Sequence, residues 1–234
     1  MKTGVLFIHG FTGGTYEVQP LVTYVKSHTD WSVEVPTLPG HGVTLDLRHV
    51  SAENWLMEAE LAMRKLRKRV DRVIVVGFSM GGLIGMYLAL RYPVERLVLL
   101  SAAAKYISPL VLLEDAKIIL TESITKKATP NTFYHLYNYK FSHTPIQATM
   151  EFLKIVKMVK PYYDLITCPV CIVQGEKDGI VPFSTAEHLA QVLGAEEKLM
   201  ITSPMGKHHI CYSDDREAWF PKILTFMKKA ESCE

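Results

Sequence analysis

Three side chains of the right types, widely spaced along the chain, could together carry out acyl transfer. The first is Ser79, in Gly77-Phe78-Ser79-Met80-Gly81-Gly82. It stands where the β-branched run Val73-Ile74-Val75-Val76 gives way to a helical segment from Met80 to Arg91. A serine on so sharp a strand-to-helix turn is a nucleophile elbow, and the flanking glycines let strand and helix approach closely. A serine hydroxyl is a poor nucleophile until a base takes its proton and an acid orients that base. In an elbow of this kind the acid and then the histidine follow later in the chain.

Both follow here. Gln174-Gly175-Glu176-Lys177-Asp178 leaves an apolar run, and Asp178 precedes Gly179-Ile180-Val181-Pro182. A loop carboxylate at the C-terminal end of a parallel strand is well placed for catalysis. Asp178 is the favoured acid and Glu176 the alternative. His208-His209 lies in the loop after the last strand, and one of the two is expected to be only a solvated loop residue. Acyl transfer also builds an oxyanion that needs preorganised donors. The backbone N–H of Met80 is one candidate. The other is the N–H of Phe11, in the glycine-rich loop His9-Gly10-Phe11-Thr12-Gly13-Gly14. That loop holds no G-x-G-x-x-G and no following lysine, so it does not read as a phosphate cradle. His9 reads as structural, bonding the loop backbone.

These residues need a scaffold that brings them to one edge. Six apolar runs read as strands: Val5–His9, Ser32–Pro36, Arg72–Phe78, Arg96–Ser101, Val170–Gln174 and Lys198–Thr202. They are continuous rather than alternating, as in strands covered on both faces. Helices are expected over Tyr16–Lys26, Ala52–Lys68, Met80–Arg91, Gln147–Val159, Ser184–Val192 and Asp214–Lys229. Alternation of this kind predicts an α/β fold, a mostly parallel sheet of about six or seven strands with helices on both faces. The long stretch between Ser101 and Val170 breaks it and is too long for a plain loop. It is rich in apolar helical composition and predicts a small helical cap, 103–163, inserted between core segments 1–102 and 164–234. Leu110, Tyr137 and Met150 are its candidate substrate contacts.

Composition narrows the remaining classes. The chain has 234 residues, 48% of them hydrophobic and 21% charged, enough for one domain with a sizeable core. Its net charge of +2 argues against a nucleic-acid partner and against electrostatic recruitment to membranes. The basic run Arg64, Lys65, Arg67, Lys68, Arg69 reads as a solvated last turn of a helix. Cys168 and Cys171 start a strand, where residues three apart face opposite ways, so neither a metal site nor a redox pair is expected. Reduced cysteines and no signal segment point to a cytoplasmic protein. The uncharged stretch Val73–Leu90 is close to a membrane-spanning length, but its glycines make it strand, turn and buried helix rather than an inserted span. Oligomeric state is not legible in the sequence.

His9-Gly10-Phe11-Thr12-Gly13, Gly40-His41-Gly42, Gly77-Phe78-Ser79-Met80-Gly81-Gly82, Asp178 and His209 together resemble the compact bacterial carboxylesterases and monoacylglycerol lipases of the α/β-hydrolase fold. The resemblance runs nearly end to end, through Asn54-Trp55 and Asp164-Leu165-Ile166, and is weakest in the cap. It implies a Ser-His-Asp triad, no cofactor, and hydrolysis of short- to medium-chain esters or monoacylglycerols. The antiparallel first strands usual in the family are expected to be missing or minimal here. His208 stands where relatives often carry Gly or Tyr. In the resembling enzymes an aliphatic residue follows the catalytic histidine, and an aspartate opening the final helix comes five positions on. His209, with Ile210 and Asp214, fits that spacing and is therefore the expected base, with Asp214 and Glu217 capping the helix.

Overall fold

The computed structural model describes residues 1–104 and 144–229. The apolar runs form six strands: β1 (Thr3–Ile8), β2 (Ser32–Glu34), β3 (Arg72–Phe78), β4 (Arg96–Leu100), β5 (Val170–Gly175) and β6 (Lys198–Ser203). They hydrogen-bond in the order β2-β1-β3-β4-β5-β6, and every neighbouring pair is parallel. The expected second strand is shorter than its apolar run. Pro36 has no N–H to give a ladder, and pairing stops at Glu34.

The six described helices are α1 (Gln19–His28), α2 (Ala52–Arg67), α3 (Met80–Arg91), α4 (Ile146–Val159), α5 (Phe183–Val192) and α6 (Arg216–Lys228). The expected helix from Tyr16 is divided: Thr15–Glu17 is a short 3-10 turn, and α1 begins at Gln19 with Pro20 in its first turn. The uncharged run Val73–Leu90 splits into β3, the turn at Ser79 and most of α3. No helix among the described residues is long and apolar enough to cross a membrane.

Alternate residues of β1, β3, β4 and β5 feed two separate cores. Val5, Phe7, Ile74, Val76, Phe78, Val98 and Leu100 pack with α1 and α6 through Leu21, Val25, Trp219, Ile223 and Phe226. Leu6, Ile8, Val73, Val75, Leu97 and Leu99 pack with α2, α3, α4 and α5. The α/β-hydrolase expectation of helices on both faces of a parallel sheet is met. Most of the expected cap, with Leu110 and Tyr137, lies outside the described residues. Its last part is α4, whose Phe152, Ile155 and Val159 share the core of α2 and α3. The buried Glu151 of α4 accepts the N–H of Ala52 at 3.0 Å, a donor that the first turn of α2 cannot satisfy itself. Met150 sits on the exposed side of the same helix, 50% accessible.

The topology decides where a site forms. β1 and β3 are neighbours, with Ile8 opposite Gly77, yet the chain leaves them in opposite directions, to β2 and to β4. The crevice at such a switch point, outside the carboxyl ends of the strands, is where parallel sheets bind ligands. The loop after β1 and the turn after β3 both open there. They can do so only because Gly81 has no side chain. A Cβ at Gly81 would run into the Ile8 carbonyl oxygen and come within 2.6 Å of that of His9. Gly81→Ala is therefore expected to destabilise the protein by about 3 kcal/mol, as an overpacked contact against rigid backbone. Urea unfolding would check this, and a loss below about 1 kcal/mol would show that the β1–α3 approach is looser than described.

Candidate active site

Ser79 lies between β3 and α3 with φ 53° and ψ −116°, a conformation that costs a non-glycine residue about 1–3 kcal/mol. Hydrogen bonds hold it there. Its N–H donates to Leu100 at 2.9 Å, and its carbonyl accepts from Gly82 at 3.0 Å and Ala103 at 3.2 Å. The ends of β4 and α3 thus fix the turn from both sides. The side chain is almost buried, with 8% of the residue accessible.

The imidazole facing Ser79 belongs to His208. Its Nε2 is 3.2 Å from Ser79 Oγ, and its Nδ1 is 3.0 Å from Asp178 Oδ2 and 3.2 Å from Oδ1. A carboxylate only accepts, so Nδ1 carries the proton and Nε2 presents its lone pair to the Ser79 hydroxyl. Phe78 packs against the ring, with centroids 5.0 Å apart. This corrects the expectation for His209. That residue turns the other way, and its Nε2 lies 3.3 Å from Glu17 Oε1.

The spacing argument failed at the helix start. The 3-10 turn Ile210–Tyr212 intervenes, and α6 begins at Arg216 behind Asp215, so Asp214 does not cap it. Asp215 is the residue that anchors the segment, accepting Ser203 Oγ at 2.6 Å from the end of β6. Ile210 and Cys211 are wholly buried in the α1–α6 core. Seating them there leaves His208 toward the sheet edge and His209 toward Thr15–Glu17.

Asp178 is placed as expected, and Glu176 is exposed. The Asp178 side chain is fully buried. Its Oδ1 accepts the N–H groups of Ile180 and Val181, each at 2.9 Å, and its Oδ2 accepts Gln174 Nε2 at 3.0 Å. Burial pushes the carboxyl upward. The electrostatic attraction and hydrogen bond of His208 and the two N–H donors outweigh it and hold Asp178 below its ordinary value. Gln174 was not singled out in the sequence. It is wholly buried in β5, where a polar side chain needs partners, and it bridges Asp178 and the Val181 carbonyl.

The loop after β1 completes the edge. His9 Nε2 accepts the Leu38 N–H at 3.0 Å, so its Nδ1 is the protonated nitrogen and donates to the Gly10 carbonyl at 2.9 Å. His9 is thus engaged with backbone, as expected of a structural residue. The Phe11 ring is stacked on Phe152 with centroids 5.5 Å apart and meets Trp55 edge-on at 5.9 Å. Met80 opens α3, so its N–H is among those a helix leaves without an intrahelical partner. Among the described residues no group of His, Cys, Asp and Glu is arranged to hold a metal ion.

A hydroxyl on an elbow, an imidazole oriented by a buried carboxylate and a glycine loop beside them make the arrangement of a serine hydrolase. The comparisons with known proteins agree. A family profile described as serine aminopeptidase, S33, matches residues 1–215. The chain belongs to that family. It is similar to the thermostable monoacylglycerol lipase of Bacillus sp. (strain H-257), 25% identical over 228 residues, covering 97% of this chain and 90% of that one. It is also similar to the carboxylesterase of Bacillus subtilis (strain 168), 21% identical over 229 residues, covering 97% and 93%. A solved structure from work on two metagenome-derived lipolytic enzymes, LipS and LipT, superposes with a TM-score of 0.80 at 24% identity, covering 98% of this chain and 94% of that one. The fold is that of the α/β-hydrolases.

The lowered carboxyl of Asp178 sets an acid dependence. A carboxyl depressed in the folded state contributes stability that is complete above its unfolded value, about 4, and is lost as pH falls through the folded one. Asp178→Asn is therefore expected to cost more stability at about pH 7 than at about pH 3. Urea unfolding of both proteins at the two pH values reads this, and an equal cost at both would contradict the ionised, paired carboxylate.

Proposed function

We propose that the protein is a serine esterase that hydrolyses short- to medium-chain carboxylic esters or monoacylglycerols through an acyl-enzyme. The observation that carries this reading is the continuous chain of contacts from Ser79 Oγ through His208 to the buried Asp178. The broader class, carboxylic ester hydrolase, is that of the monoacylglycerol lipase and carboxylesterase it resembles over nearly its whole length.

In this reading His208 Nε2 takes the Ser79 proton as Oγ attacks the ester carbonyl. The carbonyl oxygen becomes an oxyanion, for which the N–H groups of Met80 and Phe11 are the proposed donors. The imidazolium is stabilised by Asp178, which stays ionised. His208 then returns the proton to the leaving alcohol, and Ser79 is left acylated. A water molecule enters, gives its proton to His208 and attacks the acyl carbonyl. Collapse of the second tetrahedral species releases the acid and restores the Ser79 hydroxyl. No step calls on a cofactor or metal.

The substrate side rests on apolar surface. Phe11, partly buried in the loop after β1, is backed by the buried Phe152 ring, and such an aromatic wall suits an acyl chain better than a charged group. The segment 103–163, with Leu110, Tyr137 and Met150, is proposed to set the chain-length preference. Cytoplasmic location is also part of the proposal, from the sequence reading of reduced cysteines.

A panel of p-nitrophenyl esters of increasing chain length, with monoacylglycerols and acyl thioesters alongside, tests the reading. Ester turnover with a preference for short to medium chains is expected. Ser79→Ala and His208→Ala should each lower kcat by about ten-thousandfold or more, whereas His209→Ala should retain at least about a hundredth of wild-type kcat. An inactive His209→Ala beside an active His208→Ala would overturn the assignment of the base. Faster thioester than ester turnover would move the substrate class.

A further inference from the structure

Glu17 is a buried carboxylate that the acyl-transfer steps do not use. Only 4% of its side chain is accessible, and it lies beneath the loop that follows β1. Its Oε2 accepts the Gly10 N–H at 2.9 Å, and its Oε1 faces His209 Nε2 at 3.3 Å. Gly13 is packed so closely on the carboxylate that a Cβ there would overlap it. The two segments joined by Glu17 also meet a second time, where the Tyr212 hydroxyl donates to the Tyr16 carbonyl at 2.6 Å. Phe78 touches both histidine rings, 5.0 Å from His208 and 5.7 Å from His209, and the two imidazoles meet edge-on at 5.9 Å.

The carboxylate is charged in spite of its burial. Desolvation pushes it upward, but the His209 hydrogen bond, the electrostatic attraction of the two imidazoles beside it and the Gly10 N–H together hold it below its ordinary value. An ion so deeply buried is costly unless its partners are well placed. Here the partners are the oxyanion loop on one oxygen and the residue next to the base on the other.

We propose that Glu17 and His209 are positioning residues for the esterase reaction, a second carboxylate–imidazole pair that fixes the Phe11 loop relative to the His208 loop. The proposal rests on the Ser79-His208-Asp178 reading. Neither residue touches the reacting atoms. Their pairing sets the distance between the Phe11 N–H and the tetrahedral oxygen, which matters in the transition state and little in the bound ester.

Four variants test it: Glu17→Gln, His209→Ala, His209→Gln and the double variant Glu17→Gln/His209→Ala. The assays are kcat and KM on p-nitrophenyl butyrate and inhibition by phenylboronic acid, which forms a tetrahedral adduct on the serine. Thermal melting establishes that each variant is folded. Glu17→Gln and His209→Ala should each lower kcat about tenfold, as expected for a displaced catalytic group, with KM within about twofold of wild type. Boronate affinity should weaken in step with kcat. His209→Gln, which keeps a donor for Glu17, should recover most of the loss. The double variant should be no worse than the poorer single one, because the pair acts as a unit. If Glu17→Gln does not fold, the contrast between His209→Ala and His209→Gln decides the matter. Unchanged kcat, a parallel rise in KM, or no recovery in His209→Gln would overturn the proposal. Failure of the triad reading would look different: phenylboronic acid would not inhibit the wild-type protein, and the proposal would fall with it.

Discussion

The backbone at Ser79 is the constraint on which the rest depends. A non-glycine residue at φ 53° is strained, and it persists only where its surroundings leave no alternative. Here the Leu100 carbonyl accepts its N–H, the N–H groups of Gly82 and Ala103 donate to its carbonyl, and Gly81 lets α3 lie against the end of β1. The strain lifts the hydroxyl out of line with the strand, toward the carboxyl edge of the sheet. The sheet order then decides its company. Because β1 and β3 are neighbours at a switch point, the glycine loop is beside it, and because β5 and β6 follow β4, their loops arrive from the other side.

The electrostatics follow the same logic twice. His208 pairs with Asp178 and His209 with Glu17, two adjacent imidazoles each set against a buried carboxylate. The chain bends at His208-His209 as it enters the 3-10 turn Ile210–Tyr212, so one histidine reaches the serine and the other the 3-10 turn before α1. Both carboxylates are held below their ordinary range against the opposing effect of burial. They differ in what the imidazole can do next. His208 has Ser79 Oγ at its second nitrogen, whereas His209 joins two loops.

Much of this was legible in the sequence because it is local. Continuous β-branched runs mark β3 and β5, and the glycines around Ser79 mark the elbow because they stand where such a run meets a helix. Asp178 could be preferred to Glu176 because it stands against the turn leading to Val181, whose N–H it accepts. The base could not be chosen by spacing. That argument assumed the final helix opens at Asp214, whereas Asp215 is tied to Ser203 on β6, a contact no local pattern reveals. Glu17 was silent for a similar reason. A glutamate in the first turn of an expected amphipathic helix looks like a solvated end, and only the packing of two distant loops buries it. Gln174 was hidden by standing in an apolar strand, although a lone amide there is itself a sign of a buried partner. The specificity residues were named from composition alone, since a cap's contacts depend on tertiary packing that periodicity does not encode.

The central claim is that the strained hydroxyl of Ser79 is the activated nucleophile, and covalent capture reads it most directly. The wild-type protein would be treated with an excess of a fluorophosphonate, digested, and the modified peptide identified by mass spectrometry. The account predicts one adduct per chain, on Ser79, and none when the protein is unfolded beforehand. An adduct on another residue, or no adduct on folded protein, would contradict it.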